Sequence, residues 1–326
     1  MDRDALERNQ IPIYFVAVIA AAIGGLMAPS TGQGLELLVT PAIAVLMYAM
    51  FLQIPFLNLR EGLSHKPFMA ALLIANFVFI PLLVWGLTRV LAEHPAILAG
   101  ALLVLLTPCI DYVVVFTHIG KGDSRLILSA TPILLLLQLA LLPLYLGIML
   151  SGQSAVVVSA GPFIEAFLVL IVVPLLLAVV TEALSKRIAI ARAWSVAWAW
   201  LPVPAMAAVL IVVVGSQITP VVRDIDKLAP VIPVYIGFLL LAPLMGALAS
   251  RLFKLPSATA RAVTFSASTR NSLVVLPLAL ALPEEVRGLA AAAVITQTLV
   301  ELIGEVIYIR AIPACVWRTR STVAAP

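Results

Sequence analysis

The segment PAILAGALLVLLTPCIDYVVVF, residues 95–116, runs apolar to Leu106, turns polar at Thr107-Pro108-Cys109-Ile110-Asp111, and becomes apolar again. Its length suits a helix crossing the roughly 30 Å hydrocarbon core at about 1.5 Å per residue. Proline removes a backbone donor and clashes with the preceding turn, so the helix breaks near Pro108. The carbonyls freed by the break need protein, water or an ion as partners, because lipid offers none. A thiol and a carboxylate at such a point therefore suggest a cavity inside a membrane protein.

The rest of the chain agrees. Of its 326 residues 63% are hydrophobic and 11% charged, with a mean hydropathy of +1.15. A soluble domain carries about 25% charged residues. Period-2 alternation is absent, which favours helices over a barrel. Ten apolar segments are expected, near 11–29, 34–57, 67–92, 96–118, 126–150, 161–184, 195–218, 228–250, 259–282 and 286–312. They predict an all-α polytopic membrane protein joined by mostly short loops, the longest at 151–160 and 185–194. No cleavable signal is evident.

Lysine and arginine set the expected orientation. With the N-terminus inside, 15 fall on the cytoplasmic side and 4 outside, leaving Arg270 within a span. This places both termini in the cytoplasm and the protein, multi-pass, in the plasma (inner) membrane. The pI near 9.3 then reports topology and no nucleic-acid partner. CxxC, HExxH, P-loop and G-x-S-x-G patterns are absent, and His65, His94 and His118 do not cluster. The chain reads as no enzyme, with no cofactor and no metal site. Cys109 and Cys315 give no reason to expect a disulfide.

A weak internal duplication organises the spans. Pro81 and Pro243 are 162 residues apart, and the same offset carries Cys109 to Asn271, aligning TPCID with STRNS. It also carries Pro41 to 203, between Pro202 and Pro204. Five spans per copy force opposite orientations, so residues 1–155 and 156–326 are expected to be inverted repeats. Paired interruptions in such repeats point to a transporter's binding site.

The polar residues within spans are the candidates. Asp111 and Arg270 would each cost about 2.5–3.5 kcal/mol at a helix centre if unpaired. They form either a structural ion pair or a pair facing the permeation path. Cys109 is either a small buried hydrophobe or a substrate ligand beside Thr107, Asn271 and Ser272. Glu301 and Glu305 share one face of the last span. Glu301 lies near mid-depth and Glu305 nearer the cytoplasm, while Gln138 falls 163 residues before Glu301, close to its repeat position. Glu301 is either a proton-coupling carboxylate or a permanently protonated one. Asn76, Gln53 and Glu165 read as helix-packing contacts.

At Pro108-Cys109, Lys121-Gly122-Asp123, RNSLVVLPLALALP and Leu299–Glu301 the sequence resembles the bile-acid/arsenite transporter superfamily, and within it the arsenite-efflux permeases. The resemblance covers essentially the whole chain. It implies broken, crossing fourth and ninth spans and proton-driven extrusion of arsenite, sometimes antimonite. It also implies functional roles for Cys109 and Glu301. The related bile acid:sodium symporters carry a glutamate and a glutamine ahead of the Asn-Ser pair, where this chain has Ser266 and Arg270. An always-charged guanidinium there disfavours sodium coupling. Asp111 departs from the best-known arsenite carriers. The expected partners are the lipid bilayer, protons and a small-molecule substrate, either arsenite or an organic anion. Arsenite is largely a neutral hydroxide at neutral pH. A thiol can attack its arsenic with loss of water, most readily as accessible thiolate. Protonation of Glu301 or Asp111 would then bias inward- against outward-open states.

Overall fold

Prolines write many of the helix boundaries in this chain. The computed structural model describes residues 6, 9–53, 64–110, 112–150, 165, 168–223 and 225–315. Proline stands in the first turn of the helices beginning at Pro29, Lys66 and Pro95, where its missing amide costs nothing.

The helices are α1 (Gln10–Met27), α2 (Pro29–Phe51), α3 (Lys66–Leu91), α4 (Pro95–Leu105), α5 (Val113–Ile119) and α6 (Ser124–Leu150). After them come α7 (Val173–Ser185), α8 (Ala189–Trp198), α9 (Pro202–Arg223), α10 (Val231–Leu252), α11 (Ser257–Ser268), α12 (Ser272–Leu280) and α13 (Glu284–Cys315). No strand occurs among the described residues; one isolated antiparallel bridge joins Pro108 to Arg270.

Among the described residues four helices are long and apolar enough to cross a membrane: Lys66–Leu91, Ser124–Leu150, Val231–Leu252 and Val286–Cys315. A fifth span results if α8 and the start of α9, bent by 50°, count as one. Each of the ten expected segments overlaps a helix or a broken pair. The fourth and ninth divide into α4/α5 and α11/α12, so neither half reaches spanning length. The 185–194 stretch, expected as a connection, contains most of α8. The 151–160 connection lies outside the described residues.

Packing sorts the helices into two groups. In the first, α9 packs against α1 and α2, and α7 against α2 and α8. In the second, α10 packs against α3 and α11, and α13 against α4 and α12. Both groups draw on both halves of the chain, and the second contains the two broken helices. Close approach there depends on Gly100, where a Cβ would sit 2.3 Å from the Ala290 carbonyl oxygen.

Two mid-helix prolines show how the fold repairs itself. Pro81 cannot donate to the carbonyl of Phe77, and a π-turn spans Ala75–Phe79 just before it. The Tyr145 hydroxyl, from α6, fills that carbonyl at 2.7 Å. Pro243 likewise releases the carbonyl of Leu239, and the Tyr308 hydroxyl of α13 donates to it. Both freed carbonyls thus keep a partner where lipid offers none.

Candidate functional site

The two helix breaks meet. The Cys109 amide donates to the Thr269 carbonyl at 3.1 Å, and the Asn271 amide donates to the Thr107 carbonyl at 2.9 Å. Both threonines turn their hydroxyls back one turn, Thr107 to Leu103 at 2.7 Å and Thr269 to Phe265 at 2.8 Å. The extended backbone between the half-helices is thereby paired across the crossing, which is what a break inside hydrocarbon requires. Cys109, Thr107, Thr269, Arg270 and Asn271 are all fully buried.

Arg270 fills the space beside the crossing. Its Nη2 donates to the Ser266 carbonyl at 2.7 Å, the Ala267 carbonyl at 2.8 Å and Asn76 Oδ1 at 2.9 Å. Its Nη1 reaches the Leu105 carbonyl at 3.4 Å. Leu105 ends α4, and Ser266 and Ala267 lie in the last turn of α11. One guanidinium therefore serves the C-terminal carbonyls of both broken helices, where orphan acceptors and the negative dipole end favour a cation. The Phe238 ring lies 5.5 Å away. Arg270 also interacts electrostatically with Glu301, Cys109, Tyr112 and Tyr308. Among the described residues its side chain makes no ion pair with a carboxylate. Asp111, the expected partner, lies outside the described residues.

Glu301 is buried and receives three donors. Oε2 accepts the Arg270 amide at 3.0 Å and the side chain of Gln297; Oε1 accepts the Tyr112 hydroxyl at 2.6 Å. Glu305, one turn further along α13, is also fully buried, and its Oε1 lies 2.6 Å from the Thr269 hydroxyl. The expected difference in depth between the two glutamates does not become a difference in burial. Both carboxyls lean on the ninth-span break, one through main chain and one through a side chain.

Several buried polar atoms near the crossing have no protein partner among the described residues: Arg270 Nε, Asn271 Nδ2, Ser272 Oγ, Gln297 Oε1 and Glu305 Oε2. Natural interiors leave few such atoms without a role. Asn271 Oδ1 is committed to the Val274 amide at 3.2 Å, capping α12. Gln138 is buried on α6, and neither amide atom has a hydrogen-bond partner among the described residues. A small cavity, about 240 Å³ including its open mouth, borders the site. Ser268, Gln297, Glu301, Tyr235 and Tyr308 supply its polar lining. No group of three metal-binding side chains occurs among the described residues. Cys315 is exposed at the end of α13.

Gln297 and Tyr112 are the participants that reading the sequence does not single out, and Asn76 does more than the packing expected of it. Asn76, expected to be a packing contact, also donates to Ser266 Oγ at 3.0 Å and so fixes its carbonyl oxygen on Arg270. The proline five residues on, with its π-turn, was the signal available in the sequence. Tyr112 follows Asp111 directly, yet an aromatic residue beside a run of valines looks like lipid-facing bulk.

Comparison with known proteins places this arrangement in context. Residues 40–224 match the Sodium Bile acid symporter family. An uncharacterized sodium-dependent transporter of Bacillus subtilis (strain 168), YocS, is 25% identical over 263 residues, covering 79% of this chain and 78% of the relative.

Proposed function

The chain belongs to the Sodium Bile acid symporter family, and on that premise we propose that this multi-pass secondary transporter exports arsenite in exchange for protons. The observation that carries the reading is the placement of a thiol, Cys109, at the crossing of two broken helices beside Arg270; it is buried in this structure, so arsenite reaches it in a state of the cycle that opens the crossing. Attack of that sulfur on arsenic forms one S–As bond and releases water. A single thiolate ligand holds the oxyacid weakly enough for release. Antimonite has the same trivalent chemistry.

The fold proposed with it is ten helices in two inverted five-helix repeats, residues 1–155 and 156–326. The bonds at the crossing support this: the offset of 162 converts Cys109→Thr269 into Asn271→Thr107 with roles exchanged, as a two-fold axis requires. The same offset relates Pro81 with Phe77 to Pro243 with Leu239, and their rescuing tyrosines, Tyr145 and Tyr308, are 163 apart. Gln138 and Glu301 share that offset of 163. The lysine and arginine bias supports cytoplasmic termini, and a plasma-membrane location is proposed with the export reading.

Protons are the proposed coupling ion because of where Arg270 lies. Half-helix C-termini and unwound carbonyls are where transporters of this construction hold a coupling cation. Here three such carbonyls and Asn76 Oδ1 already hold a fixed guanidinium. Glu301, tied to the Arg270 amide, is the proposed proton carrier, with Asp111 as a second carboxylate.

The second reading is a sodium- or proton-coupled symporter of an organic anion, with Arg270 facing its carboxylate. The family's description and the relative's name as a sodium-dependent transporter favour it. Everted vesicles with an imposed pH gradient decide between the two. Arsenite uptake without sodium supports export. Uptake of a labelled organic anion that requires sodium, with no arsenite movement, overturns it.

A further inference from the structure

The Tyr112 hydroxyl lies 2.6 Å from Glu301 Oε1 and 2.8 Å from the Arg270 carbonyl oxygen, and it owns a single hydrogen. Glu301 Oε2 is occupied by two N–H donors, the Arg270 amide and Gln297 Nε2. A proton added to this carboxyl therefore belongs on Oε1, pointing at Tyr112. The tyrosine hydrogen then turns to the Arg270 carbonyl, giving a continuous chain from carboxyl to hydroxyl to carbonyl. When the proton leaves, the hydroxyl turns back to the carboxylate and the Arg270 carbonyl gives up that donor.

We propose that Tyr112 is a positioning residue that converts the protonation of Glu301 into a tie, made or released, between α5 and the break joining α11 to α12. Tyr112 is the N-cap residue of α5. Arg270 is the bridge partner of Pro108. The hydroxyl thus links the second half of one broken helix to the middle of the other. Its ring is fixed edge-on against Phe116 at 6.0 Å, so the hydroxyl stays in place while its hydrogen changes acceptor.

Other ionisable groups surround the device. Arg270 faces Glu301 from the break, and Glu305 and Tyr308 lie on its own helix. Tyr235, from α10, lines the cavity it borders, and Cys109 lies near Arg270. The main chain of Arg270 shares the hydroxyl with the carboxyl. The Thr269 hydroxyl repeats the arrangement one turn along, 2.6 Å from Glu305 Oε1 and 2.8 Å from the Phe265 carbonyl.

The inference rests on Glu301 as the proton carrier of the proposed transport cycle, and its test does not require the substrate. Infrared spectra of the purified protein are recorded against pH, with Glu301→Gln identifying the carboxyl band. Tyr112→Phe keeps the ring and removes the hydroxyl. The Glu301 band should move to higher wavenumber, because the protonated carboxyl has lost its acceptor. Tyr145→Phe, which touches Phe77 and no part of the site, should leave the band unchanged. In the same pH series the Glu301 band should titrate at a different pH in Tyr112→Phe than in wild type, because the hydroxyl serves the charged and neutral carboxyl differently. A Glu301 band identical in wild type and Tyr112→Phe overturns the inference whatever the protein transports. The expected band shift in a protein that moves no arsenite keeps the inference and removes the arsenite reading.

Discussion

The backbone amide of Arg270 donates to Oε2 of Glu301 at 3.0 Å, while the guanidinium of the same residue points to other oxygens. The carboxyl group is joined to the main chain of a helix break, so a change in its charge acts on the backbone at the crossing.

Glu301→Gln tests that link. Glutamine can still accept from the Arg270 amide and Gln297, but it cannot change charge and meets Tyr112 with an amide nitrogen. The variant should remain folded in detergent and lose gradient-driven accumulation. Glu305→Gln should keep gradient-driven transport, since Glu305 contacts the Thr269 side chain and neither the Arg270 amide nor Tyr112. Vesicle uptake with the two variants at matched protein level gives the comparison. Proton-driven uptake by Glu301→Gln would move the coupling role to Asp111.

Cys109 gives a sharper contrast. Its backbone makes the crossing bond, so Cys109→Ser leaves the cross-helix pair in place and removes only the sulfur. Arsenite resistance in a sensitive host should fall to that of cells lacking the protein, with membrane levels unchanged. Cys315→Ser, at the exposed end of α13, should change nothing. Full resistance in the Cys109 variant would end the thiol-ligand reading.

Tyr145 and Pro81 should be energetically coupled. Tyr145→Phe leaves the Phe77 carbonyl without its donor and should lower stability by about 1 kcal/mol. Pro81→Ala restores a backbone amide able to serve that carbonyl. In the Pro81→Ala background, Tyr145→Phe should therefore cost much less. Thermal or denaturant unfolding of the four proteins forms a double-mutant cycle. Equal costs in both backgrounds would show that the hydroxyl has another role.

The breaks themselves were readable from residues: Pro108 and the run Ser268–Ser272 mark them, and Glu301 stands out by the cost of its charge. The offset of 162 came from aligning prolines, and the two bonds at the crossing fall at that same offset. What was not readable was the direction of side chains. Arg270 and Asp111 are natural partners by charge, yet the described guanidinium bonds go to neutral oxygens. A helix terminus becomes an acceptor only once the helix has ended, and sequence locates ends to within a few residues. Tyr145 and Tyr308 were missed for a similar reason: the carbonyls they serve exist as orphans only because of prolines on other helices.

Arg270 provides the last test, because its surroundings make removal costly in its own right. Arg270→Gln leaves as many as four buried oxygens short of donors, and each orphaned buried group costs about 1–3 kcal/mol. Folded protein in detergent should fall sharply. Asp111→Asn should not restore it if the carbonyl contacts dominate, whereas a structural ion pair predicts recovery in the double variant. Arg270→Lys should be intermediate, since an ammonium keeps the charge but lacks the planar fork that serves two helix ends at once. The same vacated oxygens suit a small hard cation. Sodium should therefore stabilise Arg270→Gln more than choline does, while wild type should respond equally to both salts. Thermal unfolding in matched sodium and choline chloride measures the difference. A sodium response in wild type would show that the guanidinium does not replace the cation, and would move the coupling argument toward sodium.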